Sequence, residues 1–147
     1  NRAVIPQIIT QIANKENVIK LGAINPTRDF NYVKDTCSAF IEVAKSPKTI
    51  GEVINSASNF EISIEKTANL ISEIMNLPIT IESENQRIRP DKSEVNRLFG
   101  CNKKIISLTE WKPKYQSLEG FKKGLKLTVD WFMNPKNLEL YRSEYLI

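Results

Sequence analysis

Apolar side chains recur at intervals of three and four residues in four stretches of the chain, and this spacing predicts four amphipathic helices. Ser63 is placed to cap the third helix with its hydroxyl. Asp35 lies near the start of the second, where an acidic residue favours the helix through its dipole, and we interpret it as a capping acid rather than a catalytic one. The predicted helices are residues 3–14, about 35–45, about 64–76 and about 118–133.

Short segments with alternating or continuous apolar residues separate these helices and predict strands. The predicted strands are residues 18–21, 28–32, 52–55, 61–63 and 79–82. Two shorter helical segments are predicted at residues 94–98 and 103–108, and a last one follows Pro135 and ends by Tyr145. The alternation of helices and strands indicates an α/β or α+β fold, and 147 residues suit a single domain with one modest core.

The same pattern predicts which large side chains are buried. We interpret Trp111 and Trp131 as core residues rather than as platforms for a ligand. The second helix offers four apolar side chains for burial, Phe40, Ile41, Val43 and Ala44. The final helix carries its apolar residues on one face, at Phe121, Leu125, Val129 and Phe132.

The formal net charge of +4 is spread along the chain, which indicates a solvated surface that tolerates an anionic ligand. We therefore expect no nucleic acid among its partners. No apolar run approaches the roughly 18 residues that a membrane span requires, so we expect no membrane association either. Cys37 and Cys101 are far apart and have no metal-ligand spacing, which favours a reducing, cytoplasmic compartment.

Several chemistries lack the residues that they require. The chain has no histidine, which excludes a Ser-His-Asp triad, a Cys-His pair and a zinc hydrolase site within it. The glycines at positions 22, 51, 100, 120 and 124 never form the Gly-rich turn that lets a backbone approach a dinucleotide pyrophosphate.

Arg28 is the first candidate binding residue. It follows a turn at Gly22 and Pro26, on a short extended segment from which a flat guanidinium can meet a diphosphate with two parallel hydrogen bonds. The alternative is an ion pair between Arg28 and Asp29 or another nearby carboxylate.

A polar loop before residue 95 holds the other candidates. Arg87 and Arg89 are two residues apart in an extended loop stiffened by Pro90, so at most one of them faces a given ligand. The alternative is an ordinary solvated loop. Glu94 could accept hydrogen bonds from two vicinal hydroxyls of a ribose or sugar, or it could be the first-turn acid of a helix capped by Ser93.

Five stretches in a fixed order resemble the C-terminal half of an extended short-chain dehydrogenase/reductase, in the NAD-dependent nucleotide-sugar epimerase/dehydratase family. They are residues 4–9 (VIPQII), 19–22 (IKLG), 27–35 (TRDFNYVKD), 51–55 (GEVIN) and 111–113 (WKP). Residues 87–95 (RIRPDKSEV) look most like the 4,6-dehydratases of hexosamine nucleotides that feed legionaminic-type nonulosonic acids. They are also similar to GDP-mannose 4,6-dehydratases.

This resemblance implies a fold and a set of site residues. The fold is the substrate-binding C-terminal lobe of such an enzyme, together with the last strand and helix of its Rossmann domain, and residues from 33 to about 58 belong to the edge of the Rossmann sheet. The implied substrate-binding residues are Arg28 and Arg89 for the diphosphate, Ile19 and Leu21 for the base, Ala3 and Val4 beneath the sugar diphosphate, and Glu94 for a ribose or sugar hydroxyl.

The resemblance also implies an activity for a parent enzyme, in which NAD takes a hydride from C4 of the sugar, water leaves across C5 and C6, and the hydride returns to C6. The family's catalytic pair is a tyrosine followed four residues later by a lysine, and no tyrosine of this chain has that neighbour. We therefore expect the catalytic residues and the NAD site to precede Asn1, and this chain alone to hold neither. A nucleotide-sugar 4-epimerase uses the same binding half and is the close alternative.

The chain begins without a methionine, and we interpret it as a fragment or a cleavage product. A stand-alone, non-catalytic binding module is the alternative from another class, although the aromatic residues fall on apolar helix faces rather than among clustered cations. In a fragment, the strand at residues 52–55 would lose its neighbours in the sheet, so we expect self-association. The resemblance implies a nucleotide-sugar substrate and a homodimeric parent.

Overall fold

The computed structural model describes residues 3–84, 87 and 94–141. Its helices are α1 (Val4–Ala13), α2 (Val33–Lys45), α3 (Ile64–Met75), α4 (Lys103–Leu108), α5 (Ser117–Phe132) and α6 (Pro135–Leu138), with a 3₁₀ turn at Pro47–Thr49. Its strands are β1 (Val18–Leu21), β2 (Thr27–Arg28), β3 (Ile62–Ser63), β4 (Thr80–Ser83) and β5 (Arg97–Leu98). None of the helices in these residues is long and apolar enough to cross a bilayer.

The fold is mixed α/β, as predicted, and the chain divides into two compact units rather than one. The first takes its residues from Asn1–Pro26, Ser63–Asn96 and Leu125–Ile147, and the second from Thr27–Ile62 and Arg97–Gly124. β1 and β4 form a parallel pair in the first unit. The other sheet has the order β3-β2-β5, in which β2 and β5 run parallel.

The core of the first unit lies where α1 packs against β1 and α3. Its fully buried side chains follow the periodicity of the sequence and include Ile8, Ile9, Ile12, Ile19, Ala68 and Ile71. The buried amide of Gln11 also holds β1 to α1, because its Oε1 accepts from the backbone N–H of Lys20 at 2.8 Å and its Nε2 donates to the carbonyl of Lys20 at 3.3 Å. A side chain thus satisfies backbone groups of β1 that would otherwise need another strand.

The core of the second unit centres on Trp111, which is buried against Ala39 and Ile105. The partly buried side chains of Val43 and Ile54 pack on this cluster. The interpretation of Trp111 as a core residue is therefore confirmed.

The main helices are confirmed, including the cap of α3, where Ser63 Oγ accepts from the N–H of Lys66 at 3.1 Å. The burial predicted on α2 is wrong for Phe40 and Ile41, which are 73% and 55% exposed, and Ala44 is exposed as well. The helix turns its Asp35 and Ala39 side inward, and the next two positions lie about 100° and 200° away around the axis.

Trp131 is not a core residue, since it is 47% exposed. On α5 the buried stripe runs through Val129 and Phe132, and Trp131 lies two positions after Val129, on the far side of the helix. Its ring instead stands edge-on to the rings of Phe132 and Tyr141, with centroids 5.0 and 6.1 Å away.

Two predicted elements are absent from the described residues. Residues 52–55 form no strand, and Val53 is 84% exposed, because a strand exists only where a neighbour supplies its hydrogen bonds. Residues 94–98 are not helical, and their last two residues form β5 against β2. The helix after Pro135 ends at Leu138, and residues 142–147 lie outside the described part of the chain.

Candidate functional site

Arg28 lies on β2, and its half-buried side chain turns back along its own strand, where Nη1 donates to the carbonyl of Thr27 at 2.8 Å. The strand is two residues long, so ladder hydrogen bonds alone hold it weakly. The residues on either side of Arg28 make additional contacts that hold the strand. Thr27 Oγ1 donates to Glu61 Oε2 at 2.7 Å, and the backbone N–H of Asp29 donates to the carbonyl of Leu98 at 2.9 Å.

The carboxylate of Asp29 connects two loops of the second unit through hydrogen bonds. Its Oδ1 accepts from the N–H and the hydroxyl of Ser58, at 2.9 and 2.6 Å. Its Oδ2 accepts from the N–H of Asn59 at 3.0 Å and from that of Gly100 at 3.2 Å. Asp29, which the sequence suggested as a partner for Arg28, therefore accepts hydrogen bonds from the backbone of residues 58, 59 and 100.

Asp35 has a similar structural role and does not cap its own helix. Its buried carboxylate accepts from the N–H groups of Lys114 and Tyr115, with Oδ2 at 2.9 Å from each. The indole N–H of Trp111 donates to the carbonyl of Asp35 at 3.1 Å and to Ser38 Oγ at 2.9 Å. Residues 27–35 and 111–113, which the sequence suggested as separate motifs, are thus joined by hydrogen bonds.

Glu61 and Arg97 form an ion pair that the sequence did not predict. Nε of Arg97 lies 3.0 and 2.9 Å from the two carboxylate oxygens, and Nη2 also donates to Oε1. The hydrogen bonds from Arg97 and then from Thr27 hold the pKa of Glu61 at about 2, well below its usual value. The partners are 36 residues apart, so no local pattern marks them.

The other arginine of the predicted pair, Arg87, is held by a local carboxylate. Its Nε donates to Glu84 Oε2, and this hydrogen bond lowers the pKa of Glu84. Lys20 Nζ lies 4.0 Å from the same carboxyl group. Arg87 therefore forms an ion pair within the first unit and is not a solvated side chain, since only 10% of it is exposed, and Arg89 lies outside the described residues.

The remaining predicted site residues all belong to the first unit, whereas Arg28 belongs to the second. The side chains of Ile19 and Leu21 are 0% and 2% exposed, so a base could meet β1 here only through its backbone or through Val18 and Lys20. Ala3 is exposed ahead of α1, while Val4 and Glu94 are half-buried. Glu94 has no helix to cap, and its predicted contact with a ribose or sugar stays a prediction.

A cavity of about 470 Å³ lies beside Asp29 in the second unit. Polar and apolar side chains line it, among them Asn31, Asn55, Ser56, Leu98 and Phe99. Asn31 Nδ2 donates to the carbonyl and the hydroxyl of Ser56, both at 3.1 Å, whereas its buried Oδ1 has no hydrogen-bond partner among the described residues.

The described residues contain neither a Gly-rich turn between a strand and a helix nor a cluster of metal-ligating side chains. The one helix that directly follows a strand is α3, and its first turn is capped by the Ser63 hydroxyl with no glycine at the junction. Within residues 3–84, 87 and 94–141, no three Asp, Glu or Cys side chains lie close enough together to hold a metal ion.

The fold and these motifs define the class of protein. The sequence model of the GDP-mannose 4,6-dehydratase family matches residues 1–124, and the chain belongs to that family. Its members and relatives are extended short-chain dehydrogenases that act on nucleotide sugars as dehydratases and epimerases.

Known relatives agree with this assignment. The chain is 32% identical over 142 residues to the dTDP-D-glucose 4,6-dehydratase of Bos taurus. The alignment covers 92% of this chain and 39% of the relative. Its fold matches an epimerase of Methanothermobacter thermautotrophicus with a TM-score of 0.80 and 26% identity, over 94% of this chain and 38% of the other. It also matches a dTDP-glucose 4,6-dehydratase of Bacillus anthracis, solved in complex with NAD, with a TM-score of 0.73 and 26% identity, over 95% and 41%. The chain thus spans about two fifths of the length of these relatives.

Proposed function

We propose that this chain is the nucleotide-sugar-binding part of an NAD-dependent nucleotide-sugar 4,6-dehydratase, and that Arg28 binds the diphosphate of the substrate. The family assignment supports the class of substrate. The observation that carries the proposal is the position of Arg28 on β2, between two residues that are themselves tied down. A guanidinium on an anchored strand loses little conformational freedom when it forms two parallel hydrogen bonds to a phosphate.

The contribution of this part of the enzyme would be binding and orientation. Binding energy from the nucleotide, remote from the reacting sugar carbons, orients the sugar for chemistry that other residues perform. The carboxylates of Asp29 and Asp35 maintain the backbone around Arg28, since both accept hydrogen bonds from backbone N–H groups. The dehydration itself and the NAD site belong to the remainder of the proposed parent.

A nucleotide-sugar 4-epimerase is the second candidate. An epimerase is among the structures with the same fold, and a UDP-N-acetylglucosamine 4-epimerase of Methanobrevibacter ruminantium, 29% identical, is another. Both reactions begin from a bound nucleotide sugar, so the diphosphate site serves either. The acid and base residues that distinguish the two reactions lie, under this proposal, in the part of the parent that this chain does not contain.

The segment from residue 33 to about 58 would form the edge of the parent's Rossmann sheet. The apolar side chains exposed along it support this assignment, since Phe40, Ile50 and Val53 are 73%, 82% and 84% exposed. Surfaces of this kind promote association when they lack a cover. We therefore expect the isolated chain to self-associate, and a single monomeric species in sedimentation velocity would contradict this.

Binding of UDP, GDP and dTDP to the 147-residue protein, measured by titration calorimetry, tests the proposed diphosphate site. Replacing Arg28 by alanine should weaken binding by about tenfold or more, because a bidentate charged contact is lost. Arg28→Lys should recover only part of the affinity, since an ammonium group cannot form the paired hydrogen bonds.

The control is Lys48→Ala, which removes an exposed cation of the same unit and should change the dissociation constant less than about twofold. Equal affinities for the wild type and Arg28→Ala would contradict the assigned role of Arg28. If none of the three nucleotides binds the wild-type protein, the chain does not form the site by itself and the proposal fails for it.

A further inference from the structure

The ion pair between Glu61 and Arg97 has a third member, the hydroxyl of Thr27. In the parallel register Thr27 lies opposite Arg97, so both side chains are on the same face of the sheet. Glu61 accepts from the Thr27 hydroxyl at 2.7 Å and from Arg97 Nε at 2.9 and 3.0 Å. One carboxylate therefore connects β2, β5 and the residue just before β3.

This network acts on the strand that carries Arg28. The guanidinium of Arg28 donates to the carbonyl of Thr27 at 2.8 Å, so a displacement of Thr27 displaces an acceptor of Arg28 as well. The backbone of a two-residue strand has few ladder hydrogen bonds, and a side-chain contact at its first residue is a large share of what holds it.

We propose that Glu61 is a positioning residue of the diphosphate site, which fixes Thr27 and through it the placement of Arg28. This inference rests on the proposed role of Arg28. Glu61 itself does not touch the ligand.

The ion pair with Arg97 also neutralises the negative charge of Glu61 beside the strand that carries Arg28. A lone carboxylate next to the strand that binds a diphosphate would repel the ligand. The guanidinium of Arg97 cancels that charge with a bidentate contact, and its own position is stabilised by the ring of Phe99, 4.9 Å from its central carbon. The pair thus provides rigid hydrogen bonding at β2 with little net charge.

The decisive variant is Thr27→Val, because it removes the hydroxyl and changes neither the charge nor the approximate shape of the side chain. We expect it to weaken binding of UDP, GDP or dTDP, whichever the wild-type protein binds best, by roughly three- to tenfold, the usual worth of one hydrogen bond. Thr27→Ser keeps the hydroxyl and should bind as the wild type does. This rescue would not follow from a loss of packing, since serine packs less well than valine at the same position.

The double variant Glu61→Leu/Arg97→Gln removes the pair, and with it the acceptor of the Thr27 hydroxyl, without a change in net charge and should weaken binding as Thr27→Val does. Adding Thr27→Val to it should then cost little more, since the hydroxyl has already lost its acceptor. The control is Glu52→Leu/Lys104→Gln, which removes another exposed ion pair of the same unit and should leave the affinity unchanged. Thermal melts of every variant separate a loss of binding from a loss of folding.

Two results would overturn the inference. One is binding by Thr27→Val with the wild-type dissociation constant while Arg28→Ala binds weakly, which would leave Arg28 as a ligand and Glu61 without a positioning role. The other is equal weakening by Thr27→Ser and Thr27→Val. Failure of the wild-type protein to bind any of the nucleotides would instead refute the function on which the inference rests.

Discussion

Replacing Asp29 by asparagine tests the structural role that its hydrogen bonds assign to it. Both carboxylate oxygens accept from donors that cannot turn away, namely the N–H of Ser58 at Oδ1 and the N–H groups of Asn59 and Gly100 at Oδ2. An asparagine amide has the same shape but offers one acceptor and one donor. In one orientation its NH₂ group faces Asn59 and Gly100, and in the other it faces Ser58.

The magnitude follows from the number of acceptors lost. The amide takes the orientation that costs less, in which its NH₂ group faces Ser58 and one backbone N–H loses its acceptor. Hydrogen bonds to a charged group are worth roughly 1.5–3 kcal/mol each, and the lower value applies because the Asp29 side chain is half-buried and water compensates in part. The two hydrogen bonds at the other oxygen remain but weaken to the roughly 1 kcal/mol of neutral ones, so we expect Asp29→Asn to lower the free energy of unfolding by about 2.5 kcal/mol.

Urea unfolding monitored by circular dichroism measures this change. The matched control is Asp130→Asn on α5, where the carboxylate accepts from Lys126 Nζ at 3.0 Å in an exposed ion pair and the expected loss is below about 1 kcal/mol. If Asp29→Asn keeps its fold and loses no more stability than Asp130→Asn, the carboxylate does not hold the two loops together, and the structural role is refuted.

Three further predictions concern the second unit. Gly100→Ala should lower the free energy of unfolding by about 1–3 kcal/mol in urea melts, because the added Cβ would overlap the Cβ of Ala57. Trp111→Phe removes an indole N–H with two acceptors on α2 and should lower the melting temperature without a change in nucleotide affinity. Because the ion pair with Arg97 depresses the pKa of Glu61 to about 2, its stabilisation is complete above about pH 4.5 and is lost as the pH falls toward 2, so the stability difference between the wild type and Glu61→Gln should shrink over that range.

The candidate site could be read only in part from the sequence. The order of residues 27–35 marks Arg28 and its neighbours as a unit, and that unit is present on β2 and the start of α2. The role of Asp29 was not predictable, because its partners lie 29 to 71 residues further along the chain. Glu61 and Arg97 have no local signal, since each is an ordinary charged residue and the two are 36 positions apart.

The sequence by itself determined the family and the main helices of this protein, whereas the tertiary structure decided the strands, the exposed faces and the partners of the charged residues. Helices α1, α3 and α5 follow from spacing of three and four residues, because the hydrogen bonds of a helix join residues that are close in sequence. Two predictions are wrong, the strand at residues 52–55 and the helix at residues 94–98, because pairing with residues far away in the sequence decides where strands form. Strands need partners from elsewhere in the chain, and here residues 52–55 have none among the described residues, while Arg97 and Leu98 find theirs in β2.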